Sequence, residues 1–286
     1  MMYKLLKKPF FGRFMVRWQN PLTSEQQTDW RPITAKSKSG AEIKGLFAAS
    51  RSGEARATIV LGHPMGKEAK GYFLKNGYTD MLRNNGYNTL IFDINGFGES
   101  EHGNFSYFED IVAISQAAAQ LTPEVPIGYH GISLGGQWAT IAFADPTHRF
   151  DFAIIESAAT TLDEFWIHFP IAHKTLKVFG FFLPTYKKRV SMIDRIKEAQ
   201  RLQSLLLIYS ETDDWTPVEM GKRFQQNSPV PSELWTVKNA KHASIMKSEH
   251  KAEYQAKILD FFHRATQYFA TKQHHAAKNH HTAIHE

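Results

Sequence analysis

One serine lies in a pattern that is typical of a reactive hydroxyl. The segment Gly131-Ile132-Ser133-Leu134-Gly135 follows an apolar run that reads as a β-strand and precedes an alanine-rich, helix-like stretch. A sharp strand-to-helix turn holds such a serine in a strained backbone conformation, and larger side chains two positions away would collide, which explains the glycines. The turn would project the Ser133 hydroxyl above a sheet. We therefore predict that Ser133 attacks an acyl carbon.

A serine hydroxyl is a poor nucleophile at neutral pH, so Ser133 needs a base and a carboxylate that holds the base in one tautomer. Asp213 and Asp214 follow the seventh of eight predicted strands, and His242 follows the eighth. Neighbouring strand ends converge at one edge of a parallel sheet, so these side chains can meet although they are distant in sequence. Glu156, at the end of the sixth predicted strand, is a further candidate for the acid.

Short apolar runs alternate with helix-length segments along the chain, which indicates an α/β fold with a mostly parallel, twisted sheet of about eight strands and helices on both faces. Ser39-Gly40 between the first two runs indicates an antiparallel hairpin. The runs are Ile33–Ala35, Ile43–Ala48, Ala57–Leu61, Asn88–Phe92, Ile127–His130, Phe152–Ile155, Leu205–Tyr209 and Leu234–Val237. We expect one catalytic domain over residues 31–272.

Local signals predict where two of the helices lie. Thr216-Pro217-Val218-Glu219 has the threonine and glutamate of a capping box, with proline at the first helical position. The last helix is predicted from apolar residues spaced by three and four, which form one buried face. These residues are Ile258, Phe261, Phe262, Ala265 and Phe269.

An aromatic stretch over about residues 160–190 departs from the strand-helix rhythm. We interpret it as a small helical cap, inserted over the carboxyl edge of the sheet and lining an apolar pocket. The alternative is that its aromatic side chains only attach the cap to the core. The residues that we expect to contact substrate are Phe165, Trp166, His168 and Phe169.

Two further motifs, together with the serine turn and the acid and histidine positions, resemble those of the α/β-hydrolase superfamily of serine esterases, lipases and thioesterases. His63-Pro64-Met65-Gly66 resembles the family's oxyanion loop, although Pro64 replaces the usual glycine. The resemblance implies that the N–H groups of Met65 and Leu134 stabilise the oxyanion. The turn from Asp93 to Ser100 resembles a structural turn of the family and is assigned no catalytic role.

The same resemblance covers the chain from about Ile33 to the end of the last helix and favours one acid. Asp213 has a proline four residues later and lies close to the strand end, like the family's acid position, whereas Asp214 fits less well. Lys241 replaces the glycine that usually precedes the histidine. The order Ser133, Asp213, His242 is the order that this fold uses.

The function that follows is hydrolysis of a carboxylic ester with an apolar acyl chain through an acyl-enzyme, with no cofactor and no metal ion. A thioesterase, an acyltransferase or a cofactor-free haloperoxidase could use the same three residues. A non-catalytic binding module on the same scaffold is the alternative outside enzymes, because a fold alone does not establish activity.

Composition excludes several kinds of chemistry. The 286 residues include no cysteine, so disulfides, cysteine-ligated zinc and thiol catalysis are excluded. We expect a cytoplasmic protein, since the cations near the N-terminus interrupt any apolar core of a secretory signal. No phosphate-binding loop is visible, and no nucleic acid partner is expected.

The two ends of the chain differ from the domain between them. Lys4, Lys7, Lys8, Arg13 and Arg17 all precede the first acidic residue, Glu25, and so account for most of the net charge of +6. We interpret residues 1–30 as a basic amphipathic arm. Its aromatic residues within 1–18 could contact an anionic membrane or pack on the protein's own surface. Residues 273–286 form a polar, histidine-rich segment that we predict to be disordered.

Overall fold

A computed structural model describes the backbone of residues 2–282 and the side chains of residues 2–183 and 185–271. All eight predicted strands are present, each extended by at most two residues at either end. They are β1 (Arg31–Lys36), β2 (Glu42–Ala48), β3 (Ala57–Gly62), β4 (Tyr87–Phe92), β5 (Ile127–Ile132), β6 (Phe152–Glu156), β7 (Ser204–Ser210) and β8 (Ser232–Val237).

The eight strands form one sheet in the order β1-β2-β4-β3-β5-β6-β7-β8. β1 and β2 form the predicted antiparallel hairpin, β2 pairs antiparallel with β4, and the strands from β4 across to β8 are parallel. The parallel strands therefore bring the loops that follow β3, β5, β7 and β8 to a single edge. The prediction of an α/β fold with a mostly parallel sheet is confirmed.

Helices cover both faces of the sheet. They are α1 (Met2–Phe11), α2 (Ser24–Gln27), α3 (Gly71–Lys75), α4 (Tyr78–Asn84), α5 (Tyr107–Leu121), α6 (Leu134–Ala142), α7 (Leu162–Trp166), α8 (Pro170–Phe182), α9 (Pro184–Arg189), α10 (Met192–Arg195), α11 (Val218–Asn227) and α12 (Lys251–Thr282). Side chains of β3 alternate between two cores: Val60 packs with α5 and α6, while Ile59 and Leu61 pack with α4 and α12. This alternation is the period of two that a strand requires.

Helix α12 has the apolar face that its sequence spacing predicts. Ile258, Phe261, Phe262 and Ala265 are buried, and Phe269 is half-buried. The backbone remains helical as far as Thr282 and so extends into the segment that the sequence predicts to be disordered. The side chains of that histidine-rich segment and residues 283–286 lie outside the described residues.

The N-terminal arm packs on the protein's own surface through one side of α1. Phe10 and Phe11 are buried, and Phe10 contacts the cap at Trp166, with 5.2 Å between ring centroids. Lys7 is also fully buried, donates a hydrogen bond to Asn95 Oδ1 and has its Nζ atom 4.5 Å from the centroid of the Tyr107 ring. The arm is therefore anchored by apolar and polar contacts at once.

Three helices, α7, α8 and α9, occupy the stretch that the sequence predicts as a cap. Its aromatic residues do pack inward, since Phe179 lies 6.2 Å from Phe10 and Phe165 lies 5.1 Å from Trp166 between ring centroids. Other apolar residues of α8 point outward, with Phe181 80% exposed. Among the residues that the structure describes, no helix combines the length and the apolar character needed to cross a bilayer.

Candidate active site

Ser133 lies in the strained turn that its flanking glycines predict. It connects β5 to α6 with a φ of 50° and a ψ of −110°, a conformation that residues with a side chain rarely adopt. A Cβ atom on Gly135 would lie 2.1 Å from the carbonyl oxygen of Gly62, and one on Gly131 would lie 2.7 Å from the carbonyl carbon of Gly135. Only glycine allows the start of α6 to approach β3 and β5 this closely.

The structure brings the serine, histidine and aspartate side chains into contact. Ser133 Oγ is 2.8 Å from His242 Nε2, and His242 Nδ1 is 2.8 Å from Asp213 Oδ2. The three residues come from loops after β5, β8 and β7, which meet because those strands are parallel and adjacent. The arrangement has the order and the hydrogen bonding of a nucleophile, a base and an acid that orients the base.

The geometry distinguishes among the three candidate acids. Asp213 is 3% exposed and contacts His242, whereas Asp214 is exposed to solvent. Glu156 is fully buried, but its carboxylate pairs with His130 at 3.2 Å and accepts a hydrogen bond from Tyr254 on α12. Of the three carboxylates, Asp213 is the one bonded to the base.

Asp213 is held in its ionised form by its surroundings. Burial alone would raise its pKa, but hydrogen bonds from His242 and Thr216 outweigh this effect and lower the pKa below its ordinary value of 3.8. A carboxylate beside Nδ1 favours the tautomer with its proton on that nitrogen. The Nε2 lone pair of His242 then faces Ser133 and can accept the hydroxyl proton.

Thr216 does not form the capping box that the sequence suggests. Its hydroxyl donates to Asp213 Oδ2 at 2.7 Å and its N–H donates to Asp213 Oδ1 at 3.1 Å, while Pro217 takes the N-cap position of α11. The first turn of α11 would offer the threonine oxygen only N–H donors, whereas the charged carboxylate of Asp213 is a strong acceptor for the hydroxyl proton. The local sequence does not reveal this role of Thr216, because the role depends on the Asp213 carboxylate turning toward a residue three positions later.

The two residues whose N–H groups are expected to stabilise the oxyanion, Met65 and Leu134, lie near Ser133. Leu134 is the first residue of α6, so its N–H has no partner within the helix. Met65 lines the same pocket as Ser133. A hydrogen bond attaches the loop that carries Met65 to α6, because the N–H of Gly135 donates to the carbonyl oxygen of His63 at 3.1 Å.

His63 holds this loop by hydrogen bonds and remains neutral. Its Nε2 accepts from the N–H of Ile94 at 3.1 Å, so its proton is on Nδ1, 2.8 Å from the carbonyl oxygen of Pro64. The ring is fully buried, and this burial lowers its pKa, although nearby Asp93 acts in the opposite direction. The side chain therefore serves to fix the loop rather than to transfer protons.

A pocket of about 660 Å³ opens over Ser133 and His242. Met65 and Phe165 line it, and so does Trp215, whose ring centroid is 5.2 Å from that of His242. Sequence reasoning missed Trp215, although its position directly after the two aspartates at the strand end was a usable signal. Within the described residues, no group of three or more His, Asp or Glu side chains could hold a metal ion.

The four residues expected to contact substrate divide into three groups. Phe165 lines the pocket over Ser133. His168 and Phe169 contact Trp215, at 6.3 and 5.5 Å between ring centroids, and so lie behind the pocket wall. Trp166 lines a second cavity instead of the pocket over Ser133, and its contact with substrate stays a prediction. Successive helical residues point about 100° apart, so Phe165 and Trp166 cannot face the same space.

The α/β-hydrolases share this architecture. They have a mostly parallel sheet of eight strands, a strained turn that carries a serine, and a histidine in the loop after a later strand. The chain belongs to one family of that class, the serine aminopeptidase S33 family, whose model matches residues 53–204. No curated protein is significantly similar to the sequence.

Solved structures share the fold at low sequence identity. An esterase of Pyrococcus furiosus, Pf2001, is 18% identical with a TM-score of 0.67, covering 87% of this chain and 96% of its own. Est1E from Butyrivibrio proteoclasticus is 15% identical with a TM-score of 0.62, covering 82% and 98%. The acylaminoacyl peptidase of Pyrococcus horikoshii is 18% identical with a TM-score of 0.60, covering 82% of this chain and 41% of its own.

Proposed function

We propose that this hydrolase cleaves carboxylic esters with Ser133 as nucleophile, His242 as base and Asp213 as the residue that orients the base. The observation that carries the proposal is the continuous chain of contacts from Ser133 Oγ through the imidazole to Asp213, each link 2.8 Å long. The strained turn at Ser133, which holds its hydroxyl toward His242, supports the same assignment.

The reaction follows from the positions of these atoms. His242 Nε2 takes the hydroxyl proton while Ser133 Oγ attacks the ester carbonyl, and the N–H groups of Met65 and Leu134 stabilise the oxyanion. Such donors typically contribute about 3–4 kcal/mol to the transition state. His242 then protonates the departing alcohol, which leaves an acyl-enzyme. Water, deprotonated by His242, attacks the acyl carbon, and the acid and the free serine are released.

The pocket walls support an ester with an apolar acyl group. Phe165, Trp215 and Met65 present apolar surface beside Ser133, and this surface suits an apolar acyl group. The rim carries both cations and carboxylates, Lys67, Lys241 and Lys247 beside Glu68 and Asp214, and so favours an uncharged substrate. The structurally similar proteins include esterases, which agrees with this choice.

A fluorophosphonate probe tests the mechanism directly. We expect the intact mass of the protein to rise by one phosphonyl group, located on Ser133 by peptide mapping. Ser133→Ala is the matched control and should remain unmodified. Absence of labelling in the folded wild-type protein would contradict the proposal and would favour the non-catalytic binding module.

Product analysis separates the ester hydrolase from its nearest alternatives. A series of p-nitrophenyl esters of increasing acyl length, together with the matching thioesters, should show faster turnover of the oxygen esters. Addition of an alcohol or hydrogen peroxide should not divert most of the acyl group. A dominant alkyl ester or peracid product would instead identify an acyltransferase or a haloperoxidase acting through the same Ser133.

We also propose that the protein contacts anionic membranes through a surface that we call the basic apolar face, the exposed residues of α1 and α8. The exposed cations of this face are Lys4, Lys8, Lys174 and Lys177, and no acidic residue occurs in residues 1–24 or 165–193. The exposed apolar residues of this face are Met2, Leu5, Leu6, Ile171, Val178, Phe181 and Phe182. Apolar side chains among cations are typical of a surface that binds at the headgroup boundary. A cytoplasmic location stays a prediction.

A further inference from the structure

A second cavity, of about 510 Å³, lies between α1, the cap and the start of α5. None of the residues that line it also lines the pocket over Ser133. The adjacent side chains of Phe165 and Trp166 stand between the two spaces, 5.1 Å apart, with one ring facing each. The second cavity is therefore separate from the proposed catalytic pocket.

The size and walls of this cavity are those of a site for an apolar small molecule. Its volume falls within the range of about 300–1,000 Å³ that is usual for ligand pockets. Much of its wall is aromatic or aliphatic, contributed by Leu6, Phe10, Phe11, Trp166, Leu176 and Phe179. Exposed Tyr3, Leu6 and Leu183 also line it, so it is reached from the surface between α1 and the end of α8.

Two buried donors in the wall have no hydrogen-bond partner among the described residues. They are Tyr107 Oη and Trp138 Nε1, on side chains that are 1% and 3% exposed, with 5.1 Å between the ring centroids. Buried polar groups are nearly always paired, so an unpaired donor in a cavity wall indicates a missing acceptor. Both donors are therefore available to acceptor oxygens of a ligand.

We propose that this cavity binds an aliphatic chain that carries a carbonyl oxygen, which accepts hydrogen bonds from Tyr107 and Trp138. The chain would lie among the aromatic rings, and its oxygen would satisfy both donors. Either a fatty acid or a fatty acyl ester offers this chemistry. A carboxylate has two acceptor oxygens and is a stronger acceptor than an ester carbonyl, which favours the acid as the partner of two neutral donors.

Calorimetric titration of the full chain carrying Ser133→Ala tests the proposal without turnover. We expect dodecanoic acid to bind with one site per chain and more tightly than ethyl dodecanoate. Dodecyltrimethylammonium has the same chain but no acceptor and should bind at least tenfold more weakly. Equal binding of all three would overturn the role of the carbonyl oxygen, and tighter binding of the ester would assign the site to esters.

Two variants locate the bound chain. Tyr107→Phe should weaken dodecanoic acid at least fivefold while leaving the thermal stability of the ligand-free protein equal or higher, because it removes a buried hydroxyl without a partner. Leu176→Trp should block binding by filling the cavity. Unchanged affinity in both variants would overturn the proposal. Labelling of Ser133 in the wild-type protein should not alter dodecanoic acid binding, and loss of binding on labelling would place the chain in the catalytic pocket instead.

Discussion

Asp213 and Asp214 are neighbours of the same chemical type, yet the structure gives them different surroundings. Asp213 accepts hydrogen bonds from His242, Thr216 and the N–H of Trp215, the last at 3.0 Å. Asp214 lies at the exposed rim of the pocket. One carboxylate is thus fixed against the base, and the other is hydrated.

We expect Asp213→Asn to lower kcat for a p-nitrophenyl ester by about 10⁴-fold, because an amide beside Nδ1 favours the wrong imidazole tautomer. Asp214→Asn is the matched control and should retain kcat within a few fold. Steady-state kinetics of both variants on one ester provide the measurement. Similar losses in the two variants, or a loss in Asp214→Asn alone, would assign the acid role differently.

At the scale of single residues, sequence reasoning identified the contacts that depend on chain order and missed those that depend on side-chain direction. Ser133 and His242 follow from motifs at strand ends. Glu156 could be set aside only with the structure, because its carboxylate turns toward Tyr254 on α12 and away from the base. The contribution of Trp215 required knowledge of how the loop after β7 lies over His242.

Among the secondary-structure elements, the close contact between β3 and the start of α6 fixes the position of Ser133. We expect Gly135→Ala to lower the free energy of unfolding by about 1–3 kcal/mol or more, because the added methyl group must displace backbone rather than a flexible side chain. Gly66→Ala is a suitable control, since no atom lies within 4 Å of the added Cβ. Urea denaturation of both variants tests this, and equal stability would show that α6 can shift freely.

The attachment of α1 should depend on pH through Lys7. Burial lowers the pKa of Lys7 to about 7, although Asp110 acts in the opposite direction. Between about pH 7 and the ordinary value of 10.5, the unfolded chain therefore binds more protons at this site than the folded one, and stability rises with pH. The stability difference between the wild type and Lys7→Met, from denaturant unfolding at pH 7 and pH 10, should shift in favour of the wild type at pH 10. A constant difference would mean that Lys7 stays charged in the folded protein.

The central strands were predictable because they are short, continuous apolar runs of the kind that buried positions favour. β1 and β8, at the two edges of the sheet, are more polar and only partly buried. The cap was predictable because it interrupts the alternation of strands and helices. Its individual helices were not predictable, because its aromatic residues do not follow the spacing of one apolar helix face. The helical form of the arm was also missed. Pro9 lies inside α1, and the contacts that stabilise this helix come from distant residues such as Trp166 and Asn95.

At the scale of the whole molecule, charge and apolar exposure are concentrated on the basic apolar face. We expect the protein to sediment with vesicles that contain phosphatidylglycerol and to bind far less to phosphatidylcholine alone, with the difference reduced by salt. The double change Phe181→Asp and Phe182→Asp should weaken binding by about tenfold or more, because it removes two rings that would enter the bilayer.

Tyr268→Asp is the matched control for this experiment, since Tyr268 is an aromatic residue of α12 that is 59% exposed and outside the face. Its vesicle binding should match that of the wild type. If the two substitutions on α8 have no more effect than Tyr268→Asp, the face has another role. Ester hydrolysis in solution should be unaffected by either change.

The side-by-side rings of Phe165 and Trp166 form a wall only one residue thick between the two interior spaces. Side chains rather than backbone form this boundary, so the space open to a ligand on either side of it would change with the torsion angles of the two aromatic residues.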